Sequence, residues 1–145
     1  MASAKDVVDR TLQACRARDA DMLAQCYAAD AVISASGGIE ARGPEGERMF
    51  FTGWSEAFPD NEITIDREYI AGSVVVQEGT FTGTHTGNLV APDGTVIPPT
   101  GRRLTGTYVD IVVVEGGLIT SDRLYYDRLD MLEQLGLLPK LATGS

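Results

Sequence analysis

The sequence contains few of the residues that build metal centres and disulfide frameworks. Among its 145 residues are one histidine, His85, and two cysteines, Cys15 and Cys26. Neither the count nor the spacing of these residues matches a metal-binding motif. We therefore expect no metal site, and we expect both cysteines to be free thiols buried in helices.

Long apolar runs and basic clusters are also missing. No apolar run approaches the roughly 20 residues that a membrane-spanning helix needs, and the first residues, MASAKDVVDR, hold no apolar signal core. We expect a cytoplasmic protein without a membrane partner. The net charge is −9 and no cluster of lysine and arginine stands out, so repulsion argues against nucleic acid as a partner.

The remaining composition is that of an ordinary globular domain. A hydrophobic fraction of 43% in 145 residues predicts a single domain over residues 1–145, with a core large enough to enclose a ligand cavity. No internal repeat and no long linker divides the chain.

Helical patterns dominate the first part of the chain. Residues 4–18 place Val8, Leu12 and Cys15 on one side, which predicts an amphipathic helix. Asp19 or Asp21 can cap a second, shorter helix. That helix would carry four side chains inward: Met22, Leu23, Cys26 and Tyr27. A short strand follows Asp30 and ends at Gly37-Gly38.

A third helix is predicted to begin at Gly43-Pro44, because proline at the first helical position loses no needed N–H group. It carries an aromatic stripe that includes Trp54 and Phe58, and Pro59-Asp60 ends it. The stripe is typical of a core, and one face of such a helix can also form a cavity wall.

Strands dominate the second part. Residues 62–71 and 73–84 predict two strands, and the stretch from Leu104 to Asp127 predicts a long hairpin that turns at Glu115-Gly116-Gly117. The far end of its first arm is apolar on both faces, which predicts cover on both sides. Leucines at helical spacing then predict a terminal helix that stops at Gly136.

Residues 85–101 contain a Pro92-Asp93-Gly94 turn between short apolar runs, followed by Pro98-Pro99. This pattern predicts a protruding hairpin or flap, and a flap beside a cavity is a candidate lid. Helices gathered early and antiparallel strands gathered late indicate an α+β domain with helices packed on one face of a curved sheet.

Several motifs resemble one protein family over most of the chain, in the family's order and spacing. They are Phe58-Pro59-Asp60, Gly79-Thr80-Phe81-Thr82-Gly83-Thr84-His85-Thr86-Gly87, Pro98-Pro99-Thr100-Gly101-Arg102, Asp110-Ile111, Gly117 with Ile119, and Tyr126-Asp127 followed by Leu129, Leu132 and Gln134-Leu135-Gly136. With these residues the chain resembles the SnoaL-like polyketide cyclases, near the ester cyclase branch of the nuclear-transport-factor-2-like (NTF2-like) superfamily.

The resemblance implies a cone built from a bent antiparallel sheet and three helices, with a deep apolar pocket. It also implies a homodimer formed through the sheet and cofactor-free acid/base chemistry on a hydrophobic, ketide-like small molecule. Many relatives carry Trp-Asp shortly before the position of Asp127, where this chain has Arg123 and Leu124. Asp110 and Asp127 are therefore its candidate acid/base carboxylates.

Each candidate also has a structural interpretation. Asp110 lies mid-strand among apolar residues, where it is either paired with an arginine or kept as a pocket acid whose pKa burial raises. Asp127 ends a strand before a helix, where capping competes with catalysis. His85 has the only side chain with an ordinary pKa near neutrality, and it serves either as a catalytic group or in a structural hydrogen bond.

Seven further residues are candidates for shaping the pocket or binding substrate: Tyr27, Trp54, Phe58, Phe81, Tyr108, Arg123 and Tyr125. Arg123 and Tyr125 share a strand face with Asp127 and are placed to polarise a substrate oxygen. Asp30 is a minor carboxylate candidate.

The working hypothesis is a cofactor-independent cyclase or isomerase that acts on a polyketide-type intermediate. Two alternatives remain open. One is a non-catalytic protein that binds a hydrophobic ligand. The other is an epoxide hydrolase or an ether-forming cyclase on the same scaffold.

Overall fold

The structure is a computed structural model that describes residues 2–138. The predicted single domain over 1–145 therefore includes residues outside the described range. Within that range the helices are α1 (Ala4–Ala17), α2 (Ala20–Ala24), α3 (Gly43–Ala57) and α4 (Arg128–Gln134). The strands are β1 (Tyr27–Ala35), β2 (Ile39–Arg42), β3 (Glu62–Ala71), β4 (Val74–Thr84), β5 (Leu89–Val90), β6 (Val96–Ile97), β7 (Arg103–Glu115) and β8 (Leu118–Tyr126).

The N-terminal helices begin at side-chain caps. Ser3 and Asp6 form a reciprocal capping box at the start of α1, and Asp19 accepts a hydrogen bond from the backbone of Met22 at the start of α2. The predicted second helix is shorter than expected, and Tyr27 opens β1 instead of extending it. The cause is a sheet contact, because the Cys26 carbonyl accepts a hydrogen bond of 2.8 Å from the backbone N–H of Ile119 in β8.

The long hairpin predicted from the sequence is present as β7 and β8, in the middle of a six-stranded sheet. The strand order is β2-β1-β8-β7-β4-β3. β1 pairs with β8 in parallel, while the other pairs of this sheet are antiparallel. The sequence analysis did not predict β2, a short strand that returns along β1 after Gly37-Gly38.

The predicted flap is also present, as a hairpin of β5 and β6 outside the main sheet. Its base is tied to the end of β4, where the His85 backbone N–H donates a hydrogen bond to the Arg102 carbonyl and the Gly101 N–H donates one to the His85 carbonyl. Leu89 of β5 is buried with Phe58 at the end of α3. The flap therefore packs beside α3.

The core consists of two clusters on the helix-covered face of the curved sheet. One surrounds Val7, Val8 and Ile33, and the other surrounds Phe58, Leu104 and Leu135. On β7, Val112 and Val114 are buried against this core. Their neighbours on the opposite face, among them Ile111, are only half-buried in the single chain. We expected both faces of this strand to be covered. In the single chain that prediction is wrong, because the helices pack on one side of the sheet only.

No helix among residues 2–138 is long and apolar enough to cross a membrane. The cytoplasmic location expected from the sequence stays a prediction.

Candidate active site

A cavity of 280 Å³ lies between the two core clusters, enclosed by the inner face of the sheet and by α1, α3 and α4. This volume is close to the lower end of the range found for small-molecule pockets. Most of its lining is apolar or aromatic, and five of its polar side chains are carboxyls. We name Glu47, Asp110 and Asp122, together with Tyr27, the carboxyl cluster.

Two adjacent strands and one helix bring the carboxyl cluster together. In the β7–β8 register, Asp110 pairs with Leu124 and Val112 pairs with Asp122. Because alternate residues of a strand share a face, both carboxyls point inward as diagonal neighbours. Gln77 lies opposite Asp110 on β4. Glu47, on α3, faces the same cavity and is 7% exposed.

A short hydrogen bond anchors one side of the carboxyl cluster. The Tyr27 hydroxyl donates to Oδ2 of Asp122 over 2.5 Å. The two side chains are 5% and 7% exposed, respectively. A buried bond to a carboxylate is among the stronger hydrogen bonds in proteins, so it fixes the orientation of Asp122. Burial, and then the charge of Asp122, raise the pKa of Tyr27 well above its ordinary value, which keeps the phenol a donor.

The other two carboxyls each have a buried oxygen without a hydrogen-bond partner among the described residues, Oε2 of Glu47 and Oδ1 of Asp110. Burial raises the pKa of Glu47 well above its usual range, and repulsion from Asp122 adds to the effect. Burial likewise raises the pKa of Asp110, reinforced by the charge of the neighbouring Asp122. Both groups therefore keep their protons to higher pH than an exposed carboxyl does.

Trp54 of α3 is at the centre of an aromatic wall of the cavity. Its ring centroid is 6.4 Å from that of Phe50, 5.6 Å from Phe81 and 5.6 Å from Tyr126, all in edge-to-face arrangements. These four side chains line the cavity. Phe58 stacks on Trp54 at 5.9 Å from behind and does not line it.

Tyr108 reaches the cavity because β4 has a glycine beside it. A Cβ added to Gly79 would lie 2.4 Å from the phenol ring of Tyr108. A larger residue at that position would displace the ring. Burial, followed by the charge of Asp110, raises the pKa of Tyr108, so the phenol stays protonated over the physiological range.

The sequence-predicted residues fall into two groups. Those that line the cavity are Asp110, Tyr27, Trp54, Phe81, Tyr108 and Asp127. Asp127, however, is exposed and caps α4, because its Oδ1 accepts a hydrogen bond of 2.9 Å from the Asp130 backbone. Its place is the cavity mouth. Asp30 is exposed in β1 and does not line the cavity.

Arg123 and Tyr125 lie on the opposite face of β8 from the cavity. They alternate with Asp122, Leu124 and Tyr126, which point inward. Tyr125 is 52% exposed. The expectation that these two side chains face the substrate is therefore corrected by the register of the hairpin, which turns their face of the sheet outward.

His85 is fully buried outside the cavity lining. Its Nδ1 accepts a hydrogen bond of 3.2 Å from the Thr100 backbone and lies 3.0 Å from the Thr100 hydroxyl. Its Nε2 has no partner among the described residues. Burial lowers the pKa of this imidazole. The arrangement connects the two ends of the flap, and no flap residue lines the cavity.

Sequence reasoning missed Glu47 and Asp122. Asp122 left a signal, since it falls on the β8 face that also carries Leu124 and Tyr126. An acid on an otherwise apolar strand face indicates a paired or functional group. Glu47 looked like one of the acids that favour a helix start, and only the packing of α3 over the sheet buries it.

Within residues 2–138, no lysine, arginine or histidine lines the cavity, although five carboxyl groups do. In the same range no set of three or more histidine, cysteine or carboxyl side chains is arranged to hold a metal ion. Cys15 also lines the cavity, and burial, with the nearby carboxyls, raises its pKa to about 12. The thiol is therefore a poor nucleophile at neutral pH.

Comparison with known proteins identifies the class. Residues 5–135 match the model of the SnoaL-like polyketide cyclase family, and the chain belongs to this family. Its sheet, helices and cavity are those of an NTF2-like α+β cone, as the sequence predicted. A search of curated proteins finds no significant match.

Solved structures agree with this assignment. IdmH from Streptomyces antibioticus, a candidate polyketide cyclase, is 27% identical with a TM-score of 0.74, over 92% of this chain and 98% of that one. A candidate SnoaL-like cyclase from Jannaschia sp. CCS1 has a TM-score of 0.82 at 18% identity, over 94% and 93%. An epoxide hydrolase of the LEH-like type from M. tuberculosis has a TM-score of 0.68 at 23% identity, over 91% and 88%.

Proposed function

We propose that this protein is a cofactor-independent cyclase or isomerase that acts on a hydrophobic, polyketide-type small molecule. Asp122 is the proposed base and Asp110 the proposed acid. Tyr27 orients the base, and the aromatic wall folds and shields the substrate. Asp110 was a candidate from the sequence, whereas Asp122 takes the role that the sequence analysis had offered to Asp127.

The observation that carries this proposal is the placement of Asp110 and Asp122 as diagonal neighbours on the cavity-facing side of β7 and β8. One carboxyl receives a hydrogen bond from Tyr27, and the other favours its protonated form. Two neighbouring carboxyls whose surroundings separate their protonation states can serve as base and acid at the same pH. Family membership supports the same class of reaction.

The proposed step is an intramolecular aldol closure. Asp122 takes a proton from a carbon next to a carbonyl, and the electron pair of that C–H bond passes into an enolate. The enolate carbon forms a bond to a second carbonyl carbon of the same molecule. As that C=O π bond breaks, its oxygen takes the proton of Asp110. Asp122 then passes its proton to the neighbouring Asp110, which restores both groups for the next turnover.

Enolisation is the half of this step that can be tested without the natural substrate. We would follow deuterium exchange at the carbons next to the carbonyl of 2-tetralone in D2O by proton NMR. The protein is expected to accelerate exchange, and Asp122→Asn to reduce the acceleration by about a hundredfold or more. Glu115→Gln, which removes one carboxyl from the exposed β7–β8 turn, is the matched control. Equal rates for all three proteins would contradict the proposal.

Epoxide opening is a second candidate reaction, and the same placement of Asp110 and Asp122 favours it. Asp110 would protonate the epoxide oxygen while Asp122 takes a proton from an attacking water or substrate hydroxyl. Oxygen from 18O-labelled water in the product would identify hydrolysis, whereas its absence would identify ring closure.

The outer face of the sheet supports the homodimer implied by the family resemblance. Tyr69 and Tyr125 are more than half exposed there, and Ile111 is half-buried between them on the central strand. Contact with a second copy would cover this apolar band. Native mass spectrometry of the wild type and of Ile111→Asp tests this, since the variant is expected to be monomeric.

A further inference from the structure

Glu47 is the one member of the carboxyl cluster that the proposed reaction does not use. It lies on α3, opposite the strands that carry Asp110 and Asp122, and it faces the same cavity. Its side chain is nine-tenths buried, and Oε2 has no hydrogen-bond partner among residues 2–138. A buried carboxyl oxygen without a partner is costly, so its retention in a cavity points to a group that arrives with the ligand.

The charge of the lining indicates what that group is. Every ionisable lining group among the described residues is acidic or neutral, and Glu47, Asp110 and Asp122 are gathered at one end. A ligand carboxylate or phosphate would be repelled there. A neutral ketide gains nothing from a third acid, whereas an ammonium group would be drawn to the cluster. A metal ion is the other cation to weigh, but the described side chains form no set arranged to hold one.

The aromatic wall beside the carboxyl cluster suits the same ligand. Phe50, Trp54, Phe81 and Tyr126 offer aromatic faces and edges to the remainder of the molecule. Aromatic rings attract an organic cation as well as an apolar skeleton. Carboxyls and aromatic rings in one cavity are the two elements that recognise a hydrophobic amine.

We propose that the ligand of this cavity is an amine: an apolar, ketide-like skeleton with a basic nitrogen that binds Glu47. The inference rests on the proposed function and names the substrate class of the same site. Glu47 is the specificity-determining residue, and Asp110 and Asp122 remain the acid/base pair. A protonated amine that enters the cavity ionises Glu47, so binding releases one proton to solvent.

A matched pair of probes tests the proposal: 2-naphthylmethylamine and 2-naphthylmethanol, which share shape and apolar surface and differ in charge. Isothermal titration calorimetry of the wild type is expected to show the amine binding about tenfold tighter or more. Glu47→Gln is expected to abolish this preference, because the amide keeps the shape and loses the charge. Glu115→Gln, which removes the same charge far from the cavity, is expected to keep it.

Proton release provides a readout that needs no variant, in case Glu47→Gln fails to fold. Titrations of the wild type in buffers of different ionisation enthalpy are expected to show one proton released per amine bound and none per alcohol. Equal affinities for the two probes, no binding of either, or no proton release would each overturn the proposal. Equal affinities would mean that water, and not a ligand ammonium group, hydrogen-bonds to the Glu47 carboxyl.

The two proposals fail separately. A wild type that exchanges deuterium into 2-tetralone without preferring the amine contradicts the amine proposal alone. A wild type that prefers the amine without catalysing exchange contradicts the proposed reaction alone.

Discussion

The hydroxyl of Tyr27 lies 2.5 Å from Oδ2 of Asp122, and both residues are almost fully buried. Tyr27 opens β1 and Asp122 lies on the neighbouring strand β8. The contact therefore depends on the parallel pairing of β1 with β8. It connects the first strand of the fold to the base of the proposed reaction.

Tyr27→Phe removes the donor and leaves a buried Asp122 oxygen without it. We expect the free energy of unfolding to fall by about 1–3 kcal/mol, since an unsatisfied buried group costs that much. We also expect 2-tetralone exchange to slow, because the proposed base loses the hydrogen bond that orients it.

Tyr69→Phe is the matched control for this variant. Tyr69 also donates to a carboxylate, Glu78, over 3.3 Å, but at the exposed sheet surface. Denaturant unfolding is expected to change by less than about 0.5 kcal/mol there. Similar losses of stability in both tyrosine variants, with an unchanged exchange rate for Tyr27→Phe, would contradict the role assigned to Tyr27.

Stability should fall as pH rises above the ordinary range of carboxyl titration. The pKa values of Glu47 and Asp110 are raised in the folded protein, so between the unfolded and folded values the unfolded chain has lost these protons while the folded chain keeps them. Each group then lowers the free energy of unfolding progressively as the pH rises through this interval. Below the pKa values that these groups have in the unfolded chain, this loss of stability is absent.

Asp110→Asn is therefore expected to raise the melting temperature at neutral pH and to flatten this decline, while it impairs catalysis. Thermal unfolding between mildly acidic and mildly alkaline pH measures both. Glu62→Gln, at an exposed position of β3, is the control and should leave the curve unchanged. A melting temperature that falls at neutral pH in Asp110→Asn would mean that the carboxylate is structural.

Gly106 offers a way to fill the cavity without disturbing the fold. It lies on the cavity-facing side of β7, and a Cβ there would meet only the Leu104 side chain at 4.0 Å. Gly106→Leu is expected to weaken binding of the naphthyl probes by about tenfold or more, because the side chain occupies their space. Gly53→Leu adds the same volume on the exposed side of α3. Equal probe affinity in the two variants would show that the probes bind elsewhere.

We expect His85 to act in the flap. Its folded pKa is lowered by burial, so its contribution to stability is complete above its unfolded value of about 6.5. That contribution is lost as pH falls through this value towards the folded pKa. His85→Asn keeps an acceptor for the Thr100 backbone and removes the titration. The variant should unfold with a weaker dependence on pH below neutrality and should catalyse 2-tetralone exchange at the wild-type rate. If His85→Asn loses 2-tetralone exchange while its fold stays intact, His85 takes part in catalysis.

The sequence predicted the parts of the fold that local patterns encode. Alternation and Glu115-Gly116-Gly117 define the β7–β8 hairpin, and Gly43-Pro44 defines the start of α3. Tyr27 was misplaced because its backbone state is set by pairing with β8, far along the chain. Local propensity cannot report such a contact.

The candidate site was predicted only in part, because local patterns do not report which residues meet in the folded chain. Asp110 was found because a carboxylate interrupts an apolar strand. Glu47 was missed because its burial depends on which side of α3 faces the sheet. Asp127 was ambiguous in the sequence between capping and catalysis, and its hydrogen bond to the Asp130 backbone is a helix cap.

The central claim is that the cavity holds buried carboxylic acids beside a hydrogen-bonded carboxylate. The most direct measurement is a 13C NMR titration of the side-chain carboxyls, assigned with Asp110→Asn and Glu47→Gln. The account predicts that the carbons of Asp110 and Glu47 keep the chemical shift of the protonated form through neutral pH. If both carbons titrate at the ordinary values of about 4, the two groups are ionised at neutral pH and the proposed acid is absent.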